Sequence, residues 1–436
     1  MSYWLFALSS LFVVYALVSK RLSTTIVTGP MLFVAVGVLV GSSGLGIIEA
    51  AGNEETIGIL LEATLAIVLF GDAAVINSSD WRKEAYVPVR LLTIGLPLTI
   101  VFGLVAAAAM FSDLDFWEAG LIAAILAPTD AALGQAVVSN PRVPRLIRQG
   151  LSTESGLNDG IALTFAVIFL GGAEDSLAGG NVGTLLSFLG NEILLAVVIG
   201  VALGWVGGNA LVAAHRRGWV SPVWLQIGAL AVGVAAYGLA VPLGGSGFIA
   251  AWLAGLLLGR ATRDKLDNVN AFSETLGSAL TMTSFTVFGA VFLGPAVDRL
   301  SWDIVAYAAL SLTVIRMIPV ALAMIGSGLQ PQSVLFLGWF GPRGLASIVL
   351  TGVVVEGSQL PGMETIVTVA MVTVGISVFL HGVTSWAGSE AYADWWERSE
   401  AETPEAAEAE TVATVKVPHR FRSPGMARHE QQDFES

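Results

Sequence analysis

The chain has 436 residues, 55% of them hydrophobic and 13% charged, with a mean hydropathy of +0.75. A soluble chain carries about a quarter charged residues, so a soluble multidomain enzyme is excluded and a polytopic helical membrane protein is the default. The formal charge of -13 argues against nucleic acid as a partner, which needs clustered Lys and Arg, and zero Cys removes disulfides, thiolate metal sites and a Cys nucleophile.

The first apolar run, Trp4 to Val18, has Lys20-Arg21 after it and no base before it. A secretory signal has the opposite polarity, so this is a retained span. Further apolar stretches follow at 24–42, 56–77, 87–111, 116–139, 149–172, 184–212, 222–241, 246–259, 271–293, 302–326, 331–355 and 363–386, making thirteen spans. The division between the eighth and ninth rests on Pro242-Leu243-Gly244-Gly245 alone.

The loops check the count. Those after odd spans carry Lys20, Arg21, Arg82, Lys83, Arg90, Arg142, Arg145, Arg148, Arg216, Arg217, Arg260, Arg263 and Lys265. Those after even spans carry Arg299 alone, and acids such as Glu49, Asp113 and Glu174. The loop after the eleventh span, which lacks Lys and Arg, is the exception. The positive-inside rule therefore places the N-terminus outside and the C-terminus in the cytoplasm of a cell-membrane protein. Residues 1–387 read as the membrane domain, and 388–436 as an acidic, disordered cytoplasmic tail.

Glu62, Asp72, Asp130, Glu154, Asp159, Glu192, Arg316, Arg343 and His381 fall inside spans, where charge is costly and belongs in a bundle interior or against water. At ~1.5 Å per residue, Asp130 and Asp159 each come out roughly 17 Å from the cytoplasmic edge of a ~30 Å core. These midplane carboxylates lie on consecutive antiparallel helices. Ser152, Ser155 and Asp159 share one face of the sixth span, with Asn158 beside them. A single Ser or Asn is as often helix glue as function. Two midplane carboxylates with Ser and Asn are better explained as a site.

Two spans are interrupted, the fifth by Ala127-Pro128-Thr129-Asp130 and the twelfth by Gly341-Pro342-Arg343-Gly344. Pro removes a backbone donor and Gly lowers helix propensity. Broken helices at membrane depth survive where they line protein or water, and their free backbone groups can handle ions. Spans five and twelve run in opposite directions by parity, as an inverted repeat of spans 1–6 onto 8–13 requires. The expected fold is all-α, with about thirteen transmembrane helices, inverted repeats and two crossed broken helices.

Pro128-Thr129-Asp130, Glu154-Ser155-Gly156-Leu157-Asn158-Asp159-Gly160, Gly341-Pro342-Arg343-Gly344, Leu380-His381-Gly382-Val383-Thr384 and Gly29-Pro30 together resemble the bacterial Na+/H+ exchangers of the monovalent cation/proton antiporter family. The resemblance spans about 1–386. It implies exchange of Na+, Li+ or K+ for protons by alternating access in a homodimer, with no cofactor. It implies Asp159 as the carboxylate shared by cation and proton. It further implies Asp130, Ser155 and the Thr129 carbonyl as Na+ ligands, Asn158 as the residue that positions the site, and Asp72 as the acid of the third span. It makes Glu154 and Arg343 a structural ion pair. The Asn158-Asp159 pair marks the electroneutral branch. Ala131 departs from the Pro that many relatives carry there.

The chemistry is coherent. Hard cations want oxygen ligands. Desolvation and a like-charged neighbour both favour a protonated carboxyl group, so proton and cation compete for the same oxygens, and that competition couples the fluxes. K+/H+ or mixed-cation exchange fits the same ligands. A channel leaves the carboxylate pair unexplained. An intramembrane serine protease using Ser246 in Gly244-Gly245-Ser246-Gly247 with His381 as base is a remote alternative. It leaves Asp130, Asp159 and both helix breaks without a role, and a turn explains the glycines.

Overall fold

The structure, a computed structural model, describes residues 2–22, 25–46, 54–75, 85–130, 132–177, 182–263, 265–266, 268–400 and Glu408. Among them every regular element is helical. Among the described residues nine helices are long and apolar enough to cross a membrane, and four shorter apolar ones bring the number to the thirteen expected spans.

Spans 1 to 4 are Ser2–Leu22, Gly29–Val40, Glu54–Val75 and Tyr86–Met110. The fifth is Phe116–Ile125, an unwound stretch, then Gln135–Val138. Spans 6 to 11 are Arg145–Leu177, Val182–Arg216, Pro222–Leu243, Gly247–Thr262, Ala271–Val297 and Trp302–Ala323. The twelfth is Pro331–Trp339, a gap, then Leu345–Gly357, and the thirteenth is Met363–Glu400. Both expected breaks are present, and a further one at Thr313 divides span eleven. The doubtful division between spans eight and nine is a tight turn ending at Gly244, whose φ of 82° suits glycine.

The spans form two bundles. Spans 1–3 pack with 7–10, and spans 4–6 pack with 11–13. Each bundle thus draws matching triplets from the two halves, as an inverted repeat requires. In the first bundle, Gly200 and Gly204 of span seven lie on the backbone of Ala250 and Ala254 of span nine, and Gly255 and Gly259 lie on that of Phe70 and Ala74. Lipid gives no hydrophobic drive between helices, so close backbone approach supplies the attraction, and small residues permit it. The bundles meet where spans three and nine face span six, and where span three faces the second half of span twelve. There Gly156 packs against the Asp72 side chain, and Gly160 lies against the Trp252 ring.

The boundary expected at 387 needs correction. Span thirteen continues as helix to Glu400, with Ser389, Tyr392, Ala393 and Trp396 buried. The acids read as a disordered tail are partly structural. Arg142, in the loop after span five, donates to Glu390 at 2.6 Å, to Glu397 at 2.8 Å and to Asp394. Asn140 also donates to Glu390 at 2.8 Å. Hydrogen bonds from Arg142 hold the Glu397 carboxyl below the usual carboxylate range, and Glu397 and Asp394 push the Arg142 guanidinium up in turn. Apart from Glu408, which accepts from the Gln330 backbone N–H at 2.8 Å, the tail beyond 400 lies outside the described residues, as does Ala131.

Candidate functional site

The two breaks face each other and satisfy one another's backbone. The Asp130 N–H donates to the Pro342 carbonyl at 2.8 Å. The Asp130 carboxylate accepts from the Ala132 N–H at 2.7 Å and from the Leu345 N–H at 2.9 Å. Leu345 opens the second half of span twelve, so Asp130 caps that half-helix at its positive end. The Ser347 hydroxyl donates to the carbonyl of Ile125, the last helical residue of span five's first half, at 2.7 Å. Each half-helix thereby finds partners that the hydrocarbon cannot provide.

The Gly-Pro-Arg-Gly motif now has a role for every residue. A Cβ at Gly344 would overlap the Asp130 carboxylate. The Pro342 carbonyl takes the Asp130 N–H. The Arg343 N–H donates to Ser377 Oγ at 2.7 Å. A Cβ at Gly341 would stand 2.5 Å from Arg316 Nε, so glycine opens the space for that guanidinium.

That last contact corrects the expected ion pair. Glu154 is held by Arg316, with Nη1 to Oε1 at 2.6 Å and Nη2 to Oε2 at 2.8 Å, both residues being no more than 1% exposed. The fork-to-fork geometry suits Arg and carboxylate. Arg343 lies within electrostatic reach of both, but its Nη1 donates to the Gly341 carbonyl at 2.9 Å. Its Nε and Nη2 have no hydrogen-bond partner among the described residues. The reason is geometric. Arg343 sits in unwound backbone beside Glu154, whereas Arg316 approaches Glu154 across Gly341.

His381 is structural. Its Nε2 lies 3.1 Å from the Trp339 carbonyl, at the end of span twelve's first half. Its Nδ1 lies 3.1 Å from both the hydroxyl and the carbonyl of Ser377, so the ring is held from both sides. Ser246 caps span nine, accepting from the Ile249 N–H at 3.4 Å. Both residues of the protease alternative thus have other partners.

Beside the breaks lies a cavity of about 190 Å³, room for a cation with several waters at ~30 Å³ each. Asp72, Thr129, Asp130, Ser155 and Asp159 all line it. Asn158 stands behind them, fully buried, and its Nδ2 donates to Thr129 Oγ1 at 2.6 Å. Thr129 and Ser155 hydroxyls are 3.1 Å apart. The i, i+4 spacing of Ser155 and Asp159 carries both to one face of span six. Thr129 and Asp130 reach the same space because span five is unwound between Ile125 and Gln135. Three carboxylates and two hydroxyls therefore converge on one space between the bundles. Glu62 does not join them, since it accepts from the Tyr237 hydroxyl at 2.9 Å.

The sequence reading missed Tyr15, Gln135, Ser278, Thr281 and Met282, which also line the cavity. Hydroxyls recurring along span ten were the available signal.

A family profile described as "Sodium/hydrogen exchanger, transmembrane" matches residues 7–386. The chain is 26% identical over 342 residues to a K+/H+ antiporter NhaP of Alkalimonas amylolytica, covering 78% of this chain and 57% of that protein. It is also 26% identical over 380 residues to a K+/H+ antiporter NhaP2 of Shewanella sp. strain ANA-3, covering 86% and 64%. This chain thus spans about three fifths of the length of these relatives. Among solved structures, the sodium proton antiporter MjNhaP1 of Methanocaldococcus jannaschii superposes with a TM-score of 0.74 at 21% identity, covering 90% of this chain and 97% of that one.

Proposed function

Because this chain belongs to the transmembrane sodium/hydrogen exchanger family, we propose that it exchanges Na+ or Li+ for a proton across the cell membrane, with both ions competing for Asp159 and Asp130. The observation that carries this reading is the convergence of Asp72, Thr129, Asp130, Ser155 and Asp159 on one cavity at the meeting of two broken helices.

Asp159 is the shared group. When ionised, it and Asp130 hold the cation together with the Ser155 hydroxyl, the Thr129 carbonyl and retained water. When protonated, Asp159 is a poor ligand and the cation leaves. Asp130 has backbone N–H groups on both oxygens, which fix its orientation and leave further lone pairs for an ion. Asn158 positions Thr129 without adding charge. One carboxylate exchanging one proton for one monovalent cation makes the cycle electroneutral. Asp72 brings negative charge from the opposite bundle and attracts the cation.

Spans 4–6 and 11–13 carry the breaks and move as one body against spans 1–3 and 7–10. The Gly156 and Gly160 contacts let them slide. If only the cation-bound and protonated forms cross between the two orientations, exchange follows. The N-terminus lies outside, the C-terminus is cytoplasmic, and the protein works as a homodimer.

The test is pH-gradient dissipation in proteoliposomes, with Na+, Li+, K+ and choline added in turn and Asp159→Ala alongside. Collapse with Na+ and Li+, lost in the variant, is the expected result. Normal exchange by Asp159→Ala would sink the site assignment. A second reading, K+/H+ exchange, is favoured by the names of the sequence relatives. It predicts collapse with K+ at the same site.

A further inference from the structure

Span ten belongs to the bundle opposite the helix breaks, and its hydroxyls divide into two sets. In a helix, Ser and Thr ordinarily donate back to the carbonyl four residues earlier. Thr275, Ser278, Thr283 and Thr286 do so, at 2.8 to 3.1 Å. Ser273, Thr281 and Ser284 do not. Each is at most 4% exposed, and none of their hydroxyls has a hydrogen-bond partner among the described residues.

The division is spatial. At ~100° per residue, the three unpartnered positions fall within an arc of about 80°, and the back-bonded ones lie outside it. Ser273 stands 3.8 Å from where a Cβ on Gly71 would be, next in sequence to Asp72. Thr281, eight residues on and so ~12 Å further along the axis, lines the cavity that holds Asp130 and Asp159. Three buried hydroxyls without partners each cost free energy in a protein at membrane depth. An oxygen-seeking ion or its water at the cavity supplies the partner that Thr281 lacks.

We propose that Thr281 supplies an oxygen ligand to the partly hydrated cation from the bundle opposite the helix breaks, and so helps set cation affinity and selectivity. The inference rests on the exchange reading above. Its structural meaning is that the cation is shared between the two bundles. Separating the bundles then removes one ligand, which weakens binding as the site opens.

The experiment compares wild type with Thr281→Val, which keeps the shape and removes the hydroxyl, and with Thr281→Ser, which restores it. Thr283→Val is the control, because Thr283 is back-bonded on another face. Flux in proteoliposomes gives KM and maximal rate for Na+, Li+ and K+, and melting of purified protein with each cation gives binding without flux. Thr281→Val should raise KM for the transported cation roughly five- to tenfold at an unchanged maximal rate, the size of one lost neutral contact. It should shrink the cation-induced melting shift while leaving the cation-free protein as stable as wild type or more so, since no hydrogen bond is lost. With weaker cation binding the proton wins sooner, so the acid limb of the pH profile moves to higher pH, by roughly one unit for a tenfold change. Thr281→Ser should stay within about twofold of wild type.

Wild-type KM and a wild-type melting shift in Thr281→Val would overturn the proposal. So would a lower cation-free melting point with unchanged KM, which is what a purely structural threonine gives. If wild type moved no protons yet melted higher with cation, the exchange reading would fall and the melting comparison would still decide on Thr281. If wild type showed neither, both would fall.

Discussion

Glu154, Arg316 and Arg343 form a buried group with two positive charges and one negative, which fixes an order of costs for neutralising each. Glu154→Gln leaves two guanidiniums facing one another with no anion, both essentially unexposed. Removing one partner of a buried pair costs about 3–5 kcal/mol. At about 2 °C per kcal/mol for a large chain, melting should fall by roughly 6–10 °C. Arg316→Gln also breaks the 2.6 and 2.8 Å pair. Arg343 remains within reach of Glu154, however, so the loss should be nearer 2–3 kcal/mol. Arg343→Gln leaves the pair intact. It gives up one hydrogen bond to the Gly341 carbonyl and removes two unpartnered donors, a net change of about 1 kcal/mol or less. The assay is the fraction remaining monodisperse after heating in detergent, read for the three variants and wild type together. If Arg343→Gln melted as low as Glu154→Gln, the pairing of Glu154 with Arg316 would be refuted.

Gly344→Ala should place a methyl group inside the Asp130 carboxylate. Overpacking of this kind costs roughly 1–3 kcal/mol, and exchange should be largely lost in the flux assay although Asp159 is intact; a fully active variant would show that the two breaks need not touch. Arg142→Ala should free the end of span thirteen, seen as faster hydrogen exchange over 388–400. Glu397 has its pKa depressed, chiefly by the hydrogen bond from Arg142. Its contribution is therefore present above the ordinary carboxylate range and lost as pH falls through the depressed value, while Arg142 stays charged. Wild type should accordingly lose protection there in acid and in high salt, and protection indifferent to both would count against the clamp. Imposing a membrane potential should barely change the exchange rate, given Asn158 beside a single shared carboxylate. A steep dependence on potential would contradict electroneutrality.

The span count, the two breaks and the three carboxylates of the cavity, with Thr129 and Ser155, were legible in the sequence. Hydropathy records what the bilayer demands of each segment. Glycine and proline at depth record where the helix must fail. Asp130 and Asp159 stood out because an ionisable group in hydrocarbon needs a reason. The C-terminal end of span thirteen was misread because three acids look solvated until Arg142, some 250 positions earlier, is seen beside them. Glu154 was assigned to Arg343 although Arg316 also lay in a span, because nothing local shows which guanidinium a missing Cβ at Gly341 admits.

The sequence alone determined that this chain lives in a membrane, where its helices run and break, and which residues carry charge into the spans. These follow from free energies that each segment meets by itself. Only the tertiary structure decided which break caps which, which arginine holds Glu154, and that Thr281 lines the carboxylate cavity from the other bundle. Those outcomes depend on distances between segments remote in the chain, set by how closely glycines let helices approach, and no local pattern encodes them.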